Sequence, residues 1–163
     1  MWMKPGEHLT TAEGFLDLGM VDEAWEQLEE IEPLERAHPS VVEMRLRILE
    51  RMGRFEMGAE IARGVVRVKP DELDLWLLGS RHVRAAEGAL ASLEFLLCCG
   101  DRFNGKAAFW FELACLHCQV GDLIRTAECT RRAVDLDRSL QMQALDHPDL
   151  APLWASWCLG AGE

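Results

Sequence analysis

The sequence predicts an all-α fold of stacked helix pairs, and three observations predict it. First, Gly19, Gly53 and Gly121 fall on one 34-residue period, with Glu87 at the remaining position of the series. A fixed period of this length is typical of helix-turn-helix repeats that stack on one another. Second, two columns of positions at a fixed distance from this turn carry small side chains in all or most of the repeats. Third, 49% hydrophobic and 28% charged residues are the composition of a chain that folds around an apolar core.

Two columns of the repeat show how the helices are expected to pack. Small side chains let two helix axes approach closely, so small columns mark the places where helices cross. The column five residues after the turn is small throughout: Ala24, Gly58, Ser92 and Thr126. The column seven residues before the turn is small in three repeats of four: Ala12, Leu46, Ser80 and Ala114.

Three stretches resemble the tetratricopeptide repeat (TPR) family: GRFEMGAEIARGVVRVKP ending at Pro70, WLLGS from Trp76, and WFELACLHCQVGDLIRTAECTRRAVDLD from Trp110. The resemblance covers about 136 of the 163 residues. It implies a right-handed α-α superhelix, in a single domain of residues 1–163. The implied repeats are 5–38, 39–72, 73–106 and 107–140, followed by a C-terminal cap over 141–163. The ending ALDHPDLAPLW is similar to those of small bacterial proteins of this family.

Local chemistry then places the elements in order. The first helices of the repeats are expected to begin near Pro5, Ser40, Glu72 and Lys106, and the second helices near Val21, Arg54, Gly88 and Asp122. Ser40 with Glu43 three residues later is typical of a capping box. Pro33 leaves the end of the first repeat's second helix open. Because Glu87 replaces the turn glycine, we expect the third repeat to depart most from regular geometry.

The C-terminal segment predicts a capping helix. Leu150, Leu153, Trp154 and Trp157 recur at helical spacing after the helix-breaking Asp-His-Pro at 146–148. A solenoid must cover its last apolar face, which favours an intramolecular cap. Alternatively, Trp154 and Trp157 dock into a groove of the same chain or of a second copy, giving autoinhibition or a weak homodimer.

The family resemblance implies that the first helices line a concave groove that binds a peptide or protein segment. The candidate binding residues are four arginines followed by an apolar, thiol-bearing patch: Arg47, Arg51, Arg81, Arg84, Leu77, Phe111, Cys115 and Cys118. Guanidinium groups suit carboxylates, so the expected partner carries acidic and apolar residues. The alternative is that the arginines only form surface ion pairs, for instance with Glu43 and Glu50 on their own helix.

Composition excludes several other classes of function. A net charge of −11 argues against nucleic-acid and anionic-membrane binding, which need a basic surface. The N-terminus lacks the apolar core of a secretory signal, and the expected location is the cytoplasm. No catalytic constellation or phosphate-binding loop is present, so the sequence predicts a non-catalytic scaffold without a cofactor.

Cys115 and Cys118 form a CxxC pair, which can be a redox pair or half of a zinc site. The pair falls within a predicted helix rather than after a strand, and further ligands cannot be identified from spacing. The sequence therefore favours buried structural cysteines and no metal site. A thiol- or zinc-dependent protein stays an alternative, as does a dedicated cytosolic chaperone for a secreted substrate.

Overall fold

A computed structural model describes residues 4–160. In this range the chain folds into ten α-helices and one 3-10 turn, with no strand. None of these helices is long and apolar enough to cross a membrane. The helices are α1 (Pro5–Asp17), α2 (Val21–Glu29), α3 (Pro39–Arg51), α4 (Phe55–Val68), α5 (Leu73–Glu87), α6 (Ala89–Leu97), α7 (Ala107–Gln119), α8 (Leu123–Leu136), α9 (Leu140–Asp146) and α10 (Ala151–Gly160), with the 3-10 turn at Pro148–Leu150.

The helix starts follow the 34-residue period, and every predicted start is confirmed to within one residue. First helices begin at Pro5, Pro39, Leu73 and Ala107, and second helices at Val21, Phe55, Ala89 and Leu123. The predicted capping box at Ser40 is wrong. His38 is the N-cap instead, and its Nδ1 accepts the backbone N–H of Ser40 at 3.3 Å. Pro39 then occupies the first turn, where a missing amide donor costs little.

Three of the four turns share one backbone arrangement. Gly19, Gly53 and Gly121 have φ values of +76°, +68° and +84°. At each, the next residue donates its N–H to a carbonyl five residues back, as in Met20 to Phe15 at 2.9 Å. This is the Schellman motif, which needs a left-handed residue and therefore favours glycine.

The third turn differs, as the replacement of the turn glycine by Glu87 led us to expect. Here α5 continues through Glu87, and Gly88 follows with φ +99° and ψ 173° as the N-cap of α6. Only glycine adopts this backbone region readily. The position that needs glycine has thus moved by one residue, because a glutamate would be strained in the left-handed conformation.

The chain divides between Ala86 and Glu87 into two compact units, and the prediction of a single domain stays a prediction. The first unit contains α1–α5. One of its core clusters joins α1, α2 and α3 around Leu16, Leu28 and Ile48. The end of the first repeat's second helix, left open by the sequence, lies at Glu29, and Ile31 covers the core just after it.

Residues from both predicted small columns are buried in the first unit, as expected. Ala12, Ala24 and Leu46 are fully inaccessible to solvent, and Gly58 is buried against the ring of His82. His82 itself is fully buried, and its Nε2 lies 2.9 Å from the Leu46 carbonyl oxygen. The contact between Gly58 of α4 and His82 of α5 is a close approach of two helices of the kind that small columns predict.

The second unit contains α6–α10, with α7 at its centre. Helix α7 packs against α6, α8 and the 3-10 turn. Ser92, Ala114 and Thr126, all from the two predicted small columns, are fully buried here. The C-terminal elements α9 and α10 pack against α8, and this is the predicted cap.

Candidate functional site

A cleft of about 430 Å³ opens in the first unit between residues of α1, α3 and α5. Four of the predicted binding residues line it: Arg47, Arg51, Leu77 and Arg81. The remaining lining residues are Leu16, Glu43, Glu50, Asp74 and Leu78. The fourth predicted arginine, Arg84, lies one turn further along α5 and is not among them.

The cleft has an apolar base and a charged rim. Leu16 and Leu78 are almost completely buried, while Leu77 is partly exposed. Such a combination suits a ligand with both apolar and charged groups, because the apolar part can leave water while the charges stay at the rim.

Two of the arginines pair across helices. Arg47 of α3 lies 3.1 Å from Glu13 of α1, and Arg81 of α5 lies 3.7 Å from Glu50 of α3. The side chains of these pairs remain between 33% and 53% exposed. Arg51 is exposed and, within the described chain, has no ion pair. Exposed pairs of this kind contribute only about 0–1 kcal/mol, so they exchange readily for another carboxylate.

The apolar, thiol-bearing part of the predicted site lies in the second unit and is covered. Phe111, Cys115 and Cys118 are 9%, 2% and 5% exposed. The C-terminal segment lies over this face of α7: the ring of His147 meets the ring of Phe111 edge-on at 5.4 Å between centroids. A peptide could reach Phe111 and Cys115 only if this segment moved away. The sequence left docking of the C-terminal segment into a groove of the same chain as an alternative, but through Trp154 and Trp157 and not through His147.

The segment is held in place by buried leucines and one indole. Leu150 and Leu153 are 0% and 1% exposed. Trp154 donates its Nε1–H to the Ala144 carbonyl oxygen at 2.9 Å. Trp157 packs edge-on against Trp154 at 5.1 Å but is itself 58% exposed. The intramolecular cap thus uses Leu150, Leu153 and Trp154, and a homodimer through Trp154 and Trp157 stays a prediction.

The two cysteines of the CxxC pair have different surroundings. Cys115 Sγ lies 3.8 Å from His147 Nδ1. The ligand atoms of Cys115, His147 and Asp149 all lie within 4.8 Å of one another, and Cys118 does not belong to this group. The sequence missed His147 and Asp149, which lie more than 30 residues from Cys115; their only signal was the break at 146–148.

Burial shifts the pKa values of two further groups in the second unit, the Cys129 thiol and the His117 imidazole. Burial raises the pKa of the Cys129 thiol to about 11, with Glu128 adding to the effect. Burial also lowers the pKa of His117, although Asp122 opposes this shift. Cys129 is therefore a protonated, buried thiol, and His117 is more readily neutral than an ordinary histidine.

The sequence matches no family model and no curated protein. Among solved structures, it is similar to a chain described as "MamA RS-1 ArsTM double mutant", with a TM-score of 0.66 and 16% identity over 92% of this chain and 90% of that chain. It is also similar to MamA from residue 41 to the end from Desulfovibrio magneticus RS-1, with the same TM-score and identity over 94% of this chain and 90% of that chain.

The likeness shows the fold. MamA is a helical solenoid of the tetratricopeptide type, and the all-α helix-turn-helix architecture predicted from the 34-residue period is confirmed. At 16% identity, the likeness carries no information about partners or binding residues.

Proposed function

We propose that the protein is a non-catalytic interaction scaffold that binds an acidic peptide or protein segment in the cleft of the first unit. The observation that supports this most strongly is that Arg47, Arg51 and Arg81 line one open cleft together with Leu77. Their guanidinium groups suit carboxylates, and the leucine suits an apolar side chain beside them.

The ion pairs of the cleft are consistent with a binding role. Glu13 and Glu50 hold Arg47 and Arg81 in position while both pairs stay partly exposed to solvent. A ligand carboxylate can replace a pair partner with little net loss, because exposed pairs are weak. Arg51 offers an exposed guanidinium that needs no such exchange.

The proposed ligand is a short segment, because it contacts only the cleft of the first unit. Phe111, Cys115 and Cys118 are buried, and the chain's own C-terminal segment lies against Phe111 and Cys115, so the proposal is confined to the arginines and leucines of the first unit. The ligand is expected to place one or two carboxylates beside Arg51 and Arg81 and an apolar residue at Leu77.

A peptide-display selection on the full chain tests this proposal. Selected sequences should be enriched in Asp or Glu next to an apolar residue, and their binding should weaken as salt concentration rises, because salt screens exposed charges. The double variant Arg51→Gln/Arg81→Gln should lose at least about tenfold in affinity, which corresponds to about 1.4 kcal/mol.

The matched control removes the same charge elsewhere on the first unit. Arg54 and Arg67 are exposed residues of α4 and its N-cap that do not line the cleft. Arg54→Gln/Arg67→Gln should bind the selected peptides as the original chain does. Equal weakening in both variants, or selected peptides without acidic residues, would show that the cleft is not the binding site.

A further inference from the structure

We propose that Cys115, His147 and Asp149 form a binding site for a divalent transition-metal ion of the zinc class, which fastens the C-terminal segment to α7. The three side chains converge from two elements, since Cys115 lies in α7 while His147 and Asp149 lie at the start of the 3-10 turn. The proposal is independent of peptide binding in the first unit.

The spacing of the ligand atoms fits such an ion after a small adjustment. Zinc binds cysteine sulfur at about 2.3 Å and histidine nitrogen at about 2.0–2.1 Å with tetrahedral angles, which places the two ligand atoms roughly 3.5 Å apart. Here Cys115 Sγ and His147 Nδ1 are 3.8 Å apart, and all three ligand atoms lie within 4.8 Å of one another. A shift of a few tenths of an ångström, somewhat more for the carboxylate, completes the site.

The chemistry of the three ligands indicates the class of metal. A thiolate and an imidazole favour zinc or a similar borderline ion over Mg²⁺ and Ca²⁺, which prefer all-oxygen sites. Three protein ligands leave one tetrahedral position for water or an incoming group. The site is partly shielded, because Cys115 is 2% exposed and the other two residues are half-buried.

The surroundings orient the ligands. The Phe111 ring lies edge-on to the His147 ring, and fully buried Leu150 anchors the turn that carries His147 and Asp149. His147 Nδ1 already accepts the Asp149 backbone N–H at 3.2 Å, so a metal ion at Nδ1 must displace one capping hydrogen bond. The competing interpretation is that Cys115 and His147 form only a weak hydrogen bond within the cap.

Metal titration of the reduced full chain tests the site. After treatment with a chelator, the protein should bind one Zn²⁺ per chain and melt at a higher temperature with Zn²⁺ than without it. Co²⁺ in place of zinc should give the thiolate-to-cobalt charge-transfer band and the visible bands of a tetrahedral site. The cobalt spectrum tests for a thiolate ligand in the original chain, without any substitution.

Two conservative variants then assign the ligands. His147→Asn keeps a side-chain acceptor for the Asp149 amide, and Asp149→Asn keeps the shape of the carboxylate. Each should weaken Zn²⁺ binding at least tenfold and abolish the cobalt charge-transfer band or shift it, with helical content unchanged. The controls Cys118→Ala and Cys98→Ala/Cys158→Ala remove thiols outside the cluster and should bind as the original chain does.

The proposal is overturned if the original chain binds no zinc, or if both asparagine variants bind it unchanged. It is likewise overturned if Cys118→Ala or the exposed-cysteine double variant loses the cobalt spectrum, because the thiolate ligand would then be another cysteine. In any of these cases the cluster is only a hydrogen-bonded cap.

Discussion

At the scale of single residues, Gly58 explains how the first unit packs. A Cβ at Gly58 would lie within 2.6 Å of three ring atoms of His82. The ring cannot easily move away, because His82 is fully buried and its Nε2 is bound to the Leu46 carbonyl oxygen. Phe55 packs against the same ring at 5.8 Å between centroids. Gly58 is therefore required by the space available and not by its backbone conformation.

This contact predicts opposite effects for two glycines of the same helix. Gly58→Ala should destabilise the chain by about 1–3 kcal/mol, the usual cost of overpacking a core. Gly64 also lies in α4, but a Cβ added there would meet nothing within 4 Å, so Gly64→Ala should stabilise by up to about 1 kcal/mol through helix propensity. Urea unfolding measures both changes. If Gly58→Ala were as stable as Gly64→Ala, the described packing of His82 would be wrong.

The buried thiol of Cys129 predicts a pH dependence. Its folded-state pKa of about 11 lies above the ordinary 9.0, so the folded chain holds this proton more tightly than the unfolded chain does. The resulting stability is complete below the ordinary pKa and is lost as pH rises from there through the folded value.

Alkylation at mildly alkaline pH, followed by mass spectrometry, tests the burial of the Cys129 thiol on which this pH dependence rests. Exposed Cys98 and Cys158 should be modified first, and Cys129 only after unfolding. Modification of Cys129 as fast as Cys98 in the folded chain would contradict the described burial.

At the scale of helices and turns, the repeat period fixes where each helix begins. Each start depends on local chemistry that recurs every 34 residues, and this is why the predictions for Pro5 and Val21 agree with the structure. Helix ends are less regular. The second helices of the first and third repeats have 9 residues and those of the second and fourth have 14.

The candidate site was predicted only in part. Arg47, Arg51, Arg81 and Leu77 share one cleft because their columns face the same way on neighbouring first helices. The covering of Phe111 by His147 could not be predicted, since it depends on where a segment beyond the repeats folds back. No periodicity extends to that segment.

The cap predicts different costs for two of its apolar residues. Leu153 is 1% exposed, so Leu153→Ala should cost about 2–5 kcal/mol of stability. Trp157 is 58% exposed and packs edge-on against Trp154, so Trp157→Ala should cost no more than about 1 kcal/mol. Thermal or urea unfolding at two protein concentrations compares them. An equally large, concentration-dependent loss in Trp157→Ala would instead support a homodimer through this segment.

At the scale of the whole molecule, the acidic composition and the arginines of the cleft have to be considered together. The chain carries a net charge of −11, and the three arginines that line the cleft are balanced there by Glu43, Glu50 and Asp74. An acidic ligand is therefore attracted only where it meets a guanidinium group directly. This arrangement favours specificity over affinity, because a misplaced acidic peptide meets like charges. The scaffold proposal therefore depends on direct contact between a ligand carboxylate and the cleft.

A charge-exchange experiment between cleft and peptide tests this contact most directly. Isothermal titration would compare the original chain and Arg81→Glu, each with a selected acidic peptide and with its Glu→Lys counterpart. If the contact is made, the original chain prefers the acidic peptide, and Arg81→Glu weakens or reverses this preference by a coupling energy of about 1 kcal/mol or more. If the two changes simply add, so that both chains prefer the acidic peptide by the same free energy, Arg81 does not touch the ligand carboxylate and the central claim is contradicted.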